Sequence, residues 1–240
     1  MSRNKISGIP NCICDYFECK EYVKYLGVLI DYKLSWKNHI DSVALKISKT
    51  IGLLSKLRHL VPSHTLISIY NSLIAPYLRY GLIVWGQANK FLLDKLLFLQ
   101  KQALRFIFFA NRRDHAIPLF LKTKLLPVIC LYYKLLAETM HDVSNNLVPS
   151  NLKDVFFHTA KVHSYNTRSS ASNNFYIQVS RLEIMRKSFS RVGARLWNEL
   201  PTKLRMQPKM TFRKKIQKIL FNILESEDNY IDLETLIRKV

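Results

Sequence analysis

Two-metal phosphoryl chemistry needs carboxylates close enough to hold both ions, and polymerase-type sites put two Asp side by side on a tight hairpin. The 240-residue chain has no Asp-Asp pair, and Asp31, at the end of an apolar stretch, reads as a turn or capping residue rather than a metal ligand. Cys12, Cys14 and Cys19 form C-x-C-x-x-x-x-C, but no second Cys or His half-site follows at zinc spacing; His39, the nearest candidate, sits inside a helical pattern. A zinc knuckle is not expected, and the thiols, Cys130 included, read as reduced intracellular cysteines. Neither G-x-x-x-x-G-K-[ST] nor G-x-G-x-x-G occurs, and H-E-x-x-H and G-x-S-x-G are also absent. Among seven His, a triad assembled from scattered residues carries no weight. The expectation is no catalytic residue, no metal ligand and no cofactor for this chain.

Binding chemistry is better represented. Lys and Arg number 37 against 17 Asp and Glu, a net charge of +20, with an isoelectric point near 9.9. A compact chain with that surplus repels itself unless a polyanion shares the load, and nucleic acid is the usual one. Between residues 181 and 218, twelve Lys and Arg (among them Arg186, Lys187, Arg191, Arg195, Arg213, Lys214 and Lys215) face only Glu183 and Glu199. Phe189, Leu196, Trp197 and Leu200 are interleaved with them. That mixture offers phosphate contacts and stacking surfaces, although Trp197, Leu200 and Phe212 are read first as core. The run Arg213–Lys215 could also serve as a nuclear address.

The elements that would carry these groups are mostly helical. Residues 21–31, EYVKYLGVLID, are apolar on both alternate faces and predict a strand covered on both sides, with Gly27 marking a bulge or a close approach. Ser35 is the expected cap of a helix over 36–59, with Ile40, Val43, Ile47, Ile51, Leu54 and Leu57 as one stripe. Lys46, Lys49 and Lys56 project away from it. Pro62-Ser63 opens the next helix, with Leu66, Ile69, Tyr70 and Leu73 inward, and Pro76 should kink or restart it. A third long helix spans 89–109 on Leu92, Leu96, Leu99, Ala103 and Phe106, with Lys101 and Arg105 on its surface. Two more cover 117–123 and 128–142. Residues 158–180 read as an irregular loop. Thr211 is the expected cap of a last amphipathic helix through Phe221 on Phe212, Ile216, Ile219 and Leu220, and the tail beyond Leu224 turns acidic. The apolar window 66–85 is interrupted by Asn71, Pro76 and Arg79, which suits a buried helix pair better than a membrane span. No signal peptide is visible, and an intracellular location, nucleus or cytoplasm, is expected.

Several phrases, taken together and in order, resemble one family. VKYLGVLIDYKLSWKNHI (23–40), SKLRHLVPSHTLISIYNSLIAPYLRYGLIVWG (55–86), LQKQALRFIF (99–108), YNTRS (165–169), RVGARLWNELPTKLR (191–205) and TFRKKIQKIL (211–220) are similar to the part of non-LTR, LINE-type, jockey-like retrotransposon reverse transcriptases that follows the catalytic centre. The resemblance implies a mainly α fold: a palm-end β remnant over 1–34, a thumb-like helical bundle over 35–143, a basic, partly irregular region over 144–224 and an acidic tail over 225–240. It implies that Lys24, Tyr25, Leu26 and Gly27 help hold a primer end, and that thumb-like helices grip an RNA–DNA or DNA duplex. Lys46, Lys49, Lys56, Lys101, Arg105 and the basic residues of 181–218 named above are the expected contacts. The full enzyme of the family would need Mg²⁺. The fingers, the Asp-bearing palm strands, the Tyr-x-Asp-Asp hairpin and an endonuclease domain have no counterpart here, which suggests a truncated copy or partial reading frame that retains at most nucleic-acid affinity. The alternative is a helical protein-interaction module, since a bundle without its palm should leave apolar surface uncovered. A third possibility is no stable product, because a strand without neighbours has an edge that favours aggregation.

Overall fold

The computed structural model describes residues 21–162 and 174–226. The chain opens with an antiparallel hairpin, β1 (Tyr22–Tyr25) and β2 (Val28–Asp31), in which Tyr25 pairs with Val28 and Tyr22 with Asp31. The expected single strand, covered on both faces, is corrected. All four β1 residues are exposed and only β2 is partly covered. Alternation over eleven residues cannot reveal a two-residue turn when the turn residues are Leu26 and Gly27. Their φ values of 44° and 84° give the twist that a tight hairpin needs, and only the second belongs to a residue that adopts it freely.

Helix α1 (Lys37–Leu57) follows, burying Ile40, Val43, Ile47, Ile51 and Leu54 as expected, while Lys46, Lys49 and Lys56 are exposed. Ser35 is not its cap. Trp36 occupies that position with φ of 64° and no capping side-chain bond, and Asp31 does the work from outside the helix. Asp31 Oδ1 accepts from the Lys33 and Ser35 N–H groups at 3.1 and 2.9 Å, and Oδ2 accepts from the Trp36 N–H at 2.9 Å and the Ser35 hydroxyl at 3.2 Å. Burial raises the Asp31 pKa, but these donors outweigh it and hold the carboxyl below its ordinary value.

Helix α2 (Ser63–Leu73), α3 (Ala75–Arg79) and α4 (Leu82–Trp85) return the chain, with Pro76 starting α3 as expected. Leu73 is 43% exposed rather than inward; the fully buried Ile74 takes its place where the helix breaks. Helix α5 (Lys90–Ile107) is capped by Asn89, whose Oδ1 accepts from the Phe91 N–H at 3.2 Å. Its buried face, Leu93, Leu96, Leu97, Gln100, Ala103, Leu104 and Ile107, is turned from the expected one, leaving Leu92, Leu99 and Phe106 half-buried. The reason is Gln100. Its amide is 1% exposed, donates to the Tyr70 hydroxyl at 2.9 Å and accepts from the Val128 N–H at 2.7 Å. A buried polar residue inside the stripe shifts an apolar-only reading of it. Helices α1 and α5 run in the same direction: Asp41 meets Lys95 at 2.6 Å near their starts, and Arg58 stacks on Phe106 near their ends.

Helix α6 (Ile117–Thr123) precedes α7 (Val128–Ser144), which is apolar almost all round and packs against α4, α5 and two helices of the C-terminal region. Beyond it come short turns α8 (Ser150–Lys153) and α9 (Thr159–Val162), then α10 (Glu183–Arg186), α11 (Phe189–Glu199), α12 (Thr202–Arg205) and α13 (Lys209–Ser226). The described ends of the expected loop over 158–180 are tied to one another. His158 bridges antiparallel to Phe175, which is 2% exposed, and Asn198 clamps the Phe175 backbone on both sides at 2.8 and 2.7 Å. Thr211 lies inside α13 rather than capping it. Trp197, Leu200 and Phe212 are core, and the C-terminal helices share one continuous apolar core with the bundle. Among the described residues, no helix is long and apolar enough to cross a membrane. The cysteines at 12, 14 and 19, the YNTRS phrase and most of the acidic tail lie outside the described residues.

Candidate nucleic-acid interface

Lys24, Tyr25, Leu26 and Gly27 come together as the tip of the β1–β2 hairpin. Tyr25 is 64% exposed and Leu26 73%. Leu26 sits in the left-handed region, a costly place for a branched side chain and one that recurs at binding sites. Tyr80, just after α3, holds the tip by donating its hydroxyl to the Leu26 carbonyl. A Cβ at Gly27 would lie 3.5 Å from the Tyr80 ring, so the tip backbone rests against an aromatic face. Tyr80 is itself fixed, because its carbonyl accepts from the Trp85 indole N–H at 2.9 Å.

The hairpin is anchored to α1 by His39, whose Nδ1 accepts from the Leu29 N–H at 3.3 Å and whose ring meets Trp85 edge-on. Burial, with help from Lys46, pushes the His39 pKa below its ordinary value, so the ring is neutral and free to accept. One turn before Tyr80, Tyr77 lies under the Lys46 ammonium, 5.1 Å from its centroid. A contiguous path therefore runs from Leu26 through Tyr80 and Tyr77 to Lys46 and onward along α1 to Lys49 and Lys56. Its cations sit at helical spacing and its tyrosines, Tyr77 and Tyr80, are 39% and 56% exposed, a combination suited to phosphate contact and stacking.

The other expected contacts divide. Lys214 and Lys215 are exposed on α13 and Arg195 on α11. Several of the rest make internal ties: Arg105 donates Nε and Nη2 to the Asp114 carbonyl, Arg186 donates to Ser180 O, and Arg191 to Gln178 O. Lys187 pairs with Glu183 at 3.2 Å, Arg213 with Glu138 at 3.3 Å, and Lys101 is half-buried. An Arg count cannot distinguish a guanidinium that closes a loop from one that faces solvent.

The structure also places cations on aromatic rings where the sequence reading looked for none. Arg58 stacks 4.4 Å from the Phe109 centroid, and Lys122 lies over Phe108 at 4.7 Å. The run Phe106–Phe109, just past a basic helix end, was the available signal. For Mg²⁺, the described residues offer no fit: no cluster of three His, Cys, Asp or Glu occurs among them, and both Asp31 oxygens are committed to the turn.

An exposed basic path with aromatic platforms, on a helical bundle that opens with a short hairpin, is the kind of surface a polynucleotide-handling protein presents. Comparison with known proteins shows that the chain contains a segment related to RNA-directed DNA polymerases of non-LTR retrotransposons. It is 37% identical over 87 residues to an RNA-directed DNA polymerase from mobile element jockey of Drosophila melanogaster, covering 34% of this chain and 9% of that protein. It is 33% identical over 88 residues to a probable RNA-directed DNA polymerase from transposon X-element of the same fly, covering 35% and 10%. A jockey polymerase of Drosophila funebris is 35% identical over 86 residues. The matched part thus spans about a tenth of the length of these curated relatives. No family model matches the chain, and no solved structure matches it.

Proposed function

We propose that this chain acts as the thumb-side, post-catalytic portion of a jockey-like reverse transcriptase, binding an RNA–DNA or DNA duplex without itself joining nucleotides. The observation that carries the reading is the path from the Leu26–Gly27 tip through Tyr80 and Tyr77 to Lys46 on α1. The hairpin tip would meet a primer end, and the α1 lysines would follow the phosphate backbone. Catalytic carboxylates and their Mg²⁺ would belong to a palm supplied elsewhere in such an enzyme. The alternative, a protein-interaction helix pair, has one observation in its favour. Leu45 and Phe98, 59% and 52% exposed, lie one turn beyond the Asp41–Lys95 pair on α1 and α5.

The test is a titration of the purified chain against a labelled RNA–DNA hybrid at two salt concentrations. The expected result is saturable binding whose affinity falls steeply with salt, because each phosphate contact releases counterions. Lys46→Gln should flatten the salt slope by roughly one contact. Tyr77→Ala should weaken binding by about 1 kcal/mol with the slope unchanged. Absence of binding at low salt would refute the reading, and association of copies lost on Phe98→Asp would favour the alternative.

A further inference from the structure

A second cationic site borders helix α3 and shares no residue with the path along α1. Between α2, α3, α5, α7 and α13 is a cavity of about 280 Å³ lined by Arg79, Lys124, Lys134, Tyr70, Gln100 and Gln217 among others, with no carboxylate in its lining. Arg79 and Lys124 are exposed and have no carboxylate partner among the described residues, whereas the Lys134 side chain is only 15% exposed. Lys134 Nζ donates to Gln217 Oε1 at 2.8 Å, which fixes the ammonium at the cavity wall with donors to spare. Its one acidic neighbour, Glu138, stands 4.0 Å away and is shared with Arg213 at 3.3 Å. A single carboxylate therefore faces Lys134 and Arg213, while Arg79 and Lys124 have none among the described residues.

The neutral lining suits an anion as well. The Tyr70 hydroxyl accepts from Gln100 Nε2 at 2.9 Å, which leaves its own O–H available as a donor. Burial pushes the Tyr70 phenol up to about 12, so it keeps that proton. Burial is also the largest influence lowering the Lys134 pKa, with Glu138 opposing it and Arg79 and Arg213 adding to it. A largely buried ammonium that Arg79 and Arg213 repel is what a bound anion would relieve.

We propose that this cavity binds a phosphate group, with Arg79 and Lys124 at its exposed side and Lys134 and Tyr70 within. Its volume exceeds what a single halide would fill, and a guanidinium with two ammonium groups matches the several oxygens of a phosphate. That phosphate could be carried by a small molecule or by a nucleic-acid backbone. The inference does not rest on the nucleic-acid reading of the hairpin and α1, with which it shares no residue.

The experiment uses the whole chain and two probes, inorganic phosphate and the RNA–DNA hybrid, each at ionic strength matched with chloride. Lys124→Gln and Arg79→Gln alter exposed side chains and should leave the fold intact; Lys153→Gln, on α8, removes the same charge elsewhere. If the carrier is a small molecule, phosphate binds saturably by calorimetry, and either cavity variant weakens it about tenfold while Lys153→Gln does not. If the carrier is the backbone, free phosphate gives no saturable signal, but hybrid affinity falls about tenfold in the cavity variants only. The proposal is overturned if neither probe distinguishes the cavity variants from Lys153→Gln. A flatter salt slope of hybrid binding in Lys46→Gln, with phosphate binding unchanged, would separate this site from the α1 path.

Discussion

At the scale of single residues, Asp31 and His39 set the position of the hairpin, and both do so in one protonation state. Asp31 gathers four donors onto one carboxylate, so Asp31→Ala should lower the unfolding free energy by about 2 kcal/mol, read as a shift in urea midpoint at constant slope. Its folded-state pKa lies below the ordinary 3.8, so on acidification the unfolded chain takes up this proton first. The contribution is complete above that value and is lost as pH falls toward the lower, folded one. His39 behaves alike at milder pH. Its folded pKa is depressed from 6.5, so stability should decline as pH falls below that value, because the unfolded imidazole protonates while the folded one must first release the Leu29 N–H. Thermal unfolding followed through this window should show the decline in the native chain and a shallower one in His39→Leu. An unchanged pH slope in the variant would refute the assignment.

At the scale of elements, three glycines in helical surroundings should answer differently to the same substitution. A Cβ at Gly52 meets nothing within 4 Å, so Gly52→Ala should stabilise α1 by about 1 kcal/mol, the ordinary helical preference. At Gly86 the added carbon would fall 2.1 Å from the Tyr132 ring and 2.6 Å from the Leu82 carbonyl, and Gly86→Ala should destabilise by about 3 kcal/mol. Gly193 meets side chains alone, Met140 Sδ at 2.7 Å and Leu136 Cδ1 at 3.4 Å, and should fall between them. Melting temperatures of the three variants would test the order. Helix existence was legible in the sequence because the stripes of α1 and α13 follow the helical period closely. The faces were less so: Gln100 sits polar inside the α5 stripe, and Ile74 takes the place expected of Leu73 where α2 breaks. The hairpin was missed because Leu26 is not a residue that announces a left-handed turn. At the candidate site, Lys24 to Gly27 and the α1 lysines were legible from spacing and family likeness. Tyr77 and Tyr80 were not, since an aromatic becomes a platform only through the neighbours that the fold gives it.

At the scale of the whole molecule, a net charge of +20 on one continuous core is a standing repulsion. Added salt or a polyanion should therefore raise the melting temperature, and a scan against chloride concentration would show it; a flat response would mean that the charges are already compensated within the chain. The same-direction pairing of α1 and α5 has a consequence for synthesis. Asp41 and Lys95 are 54 residues apart, so the apolar stripe of α1 must leave the ribosome well before its principal cover exists. At roughly 5–20 residues per second that interval lasts on the order of 3–10 s. The closest intervening cover, α2 to α4, is short and interrupted at Pro76, and α7 and the C-terminal helices, which complete the core, arrive later still. Nascent α1 is thus a helix long enough to form and too apolar on one side to be left alone, which makes it a natural client for a chaperone at the tunnel exit.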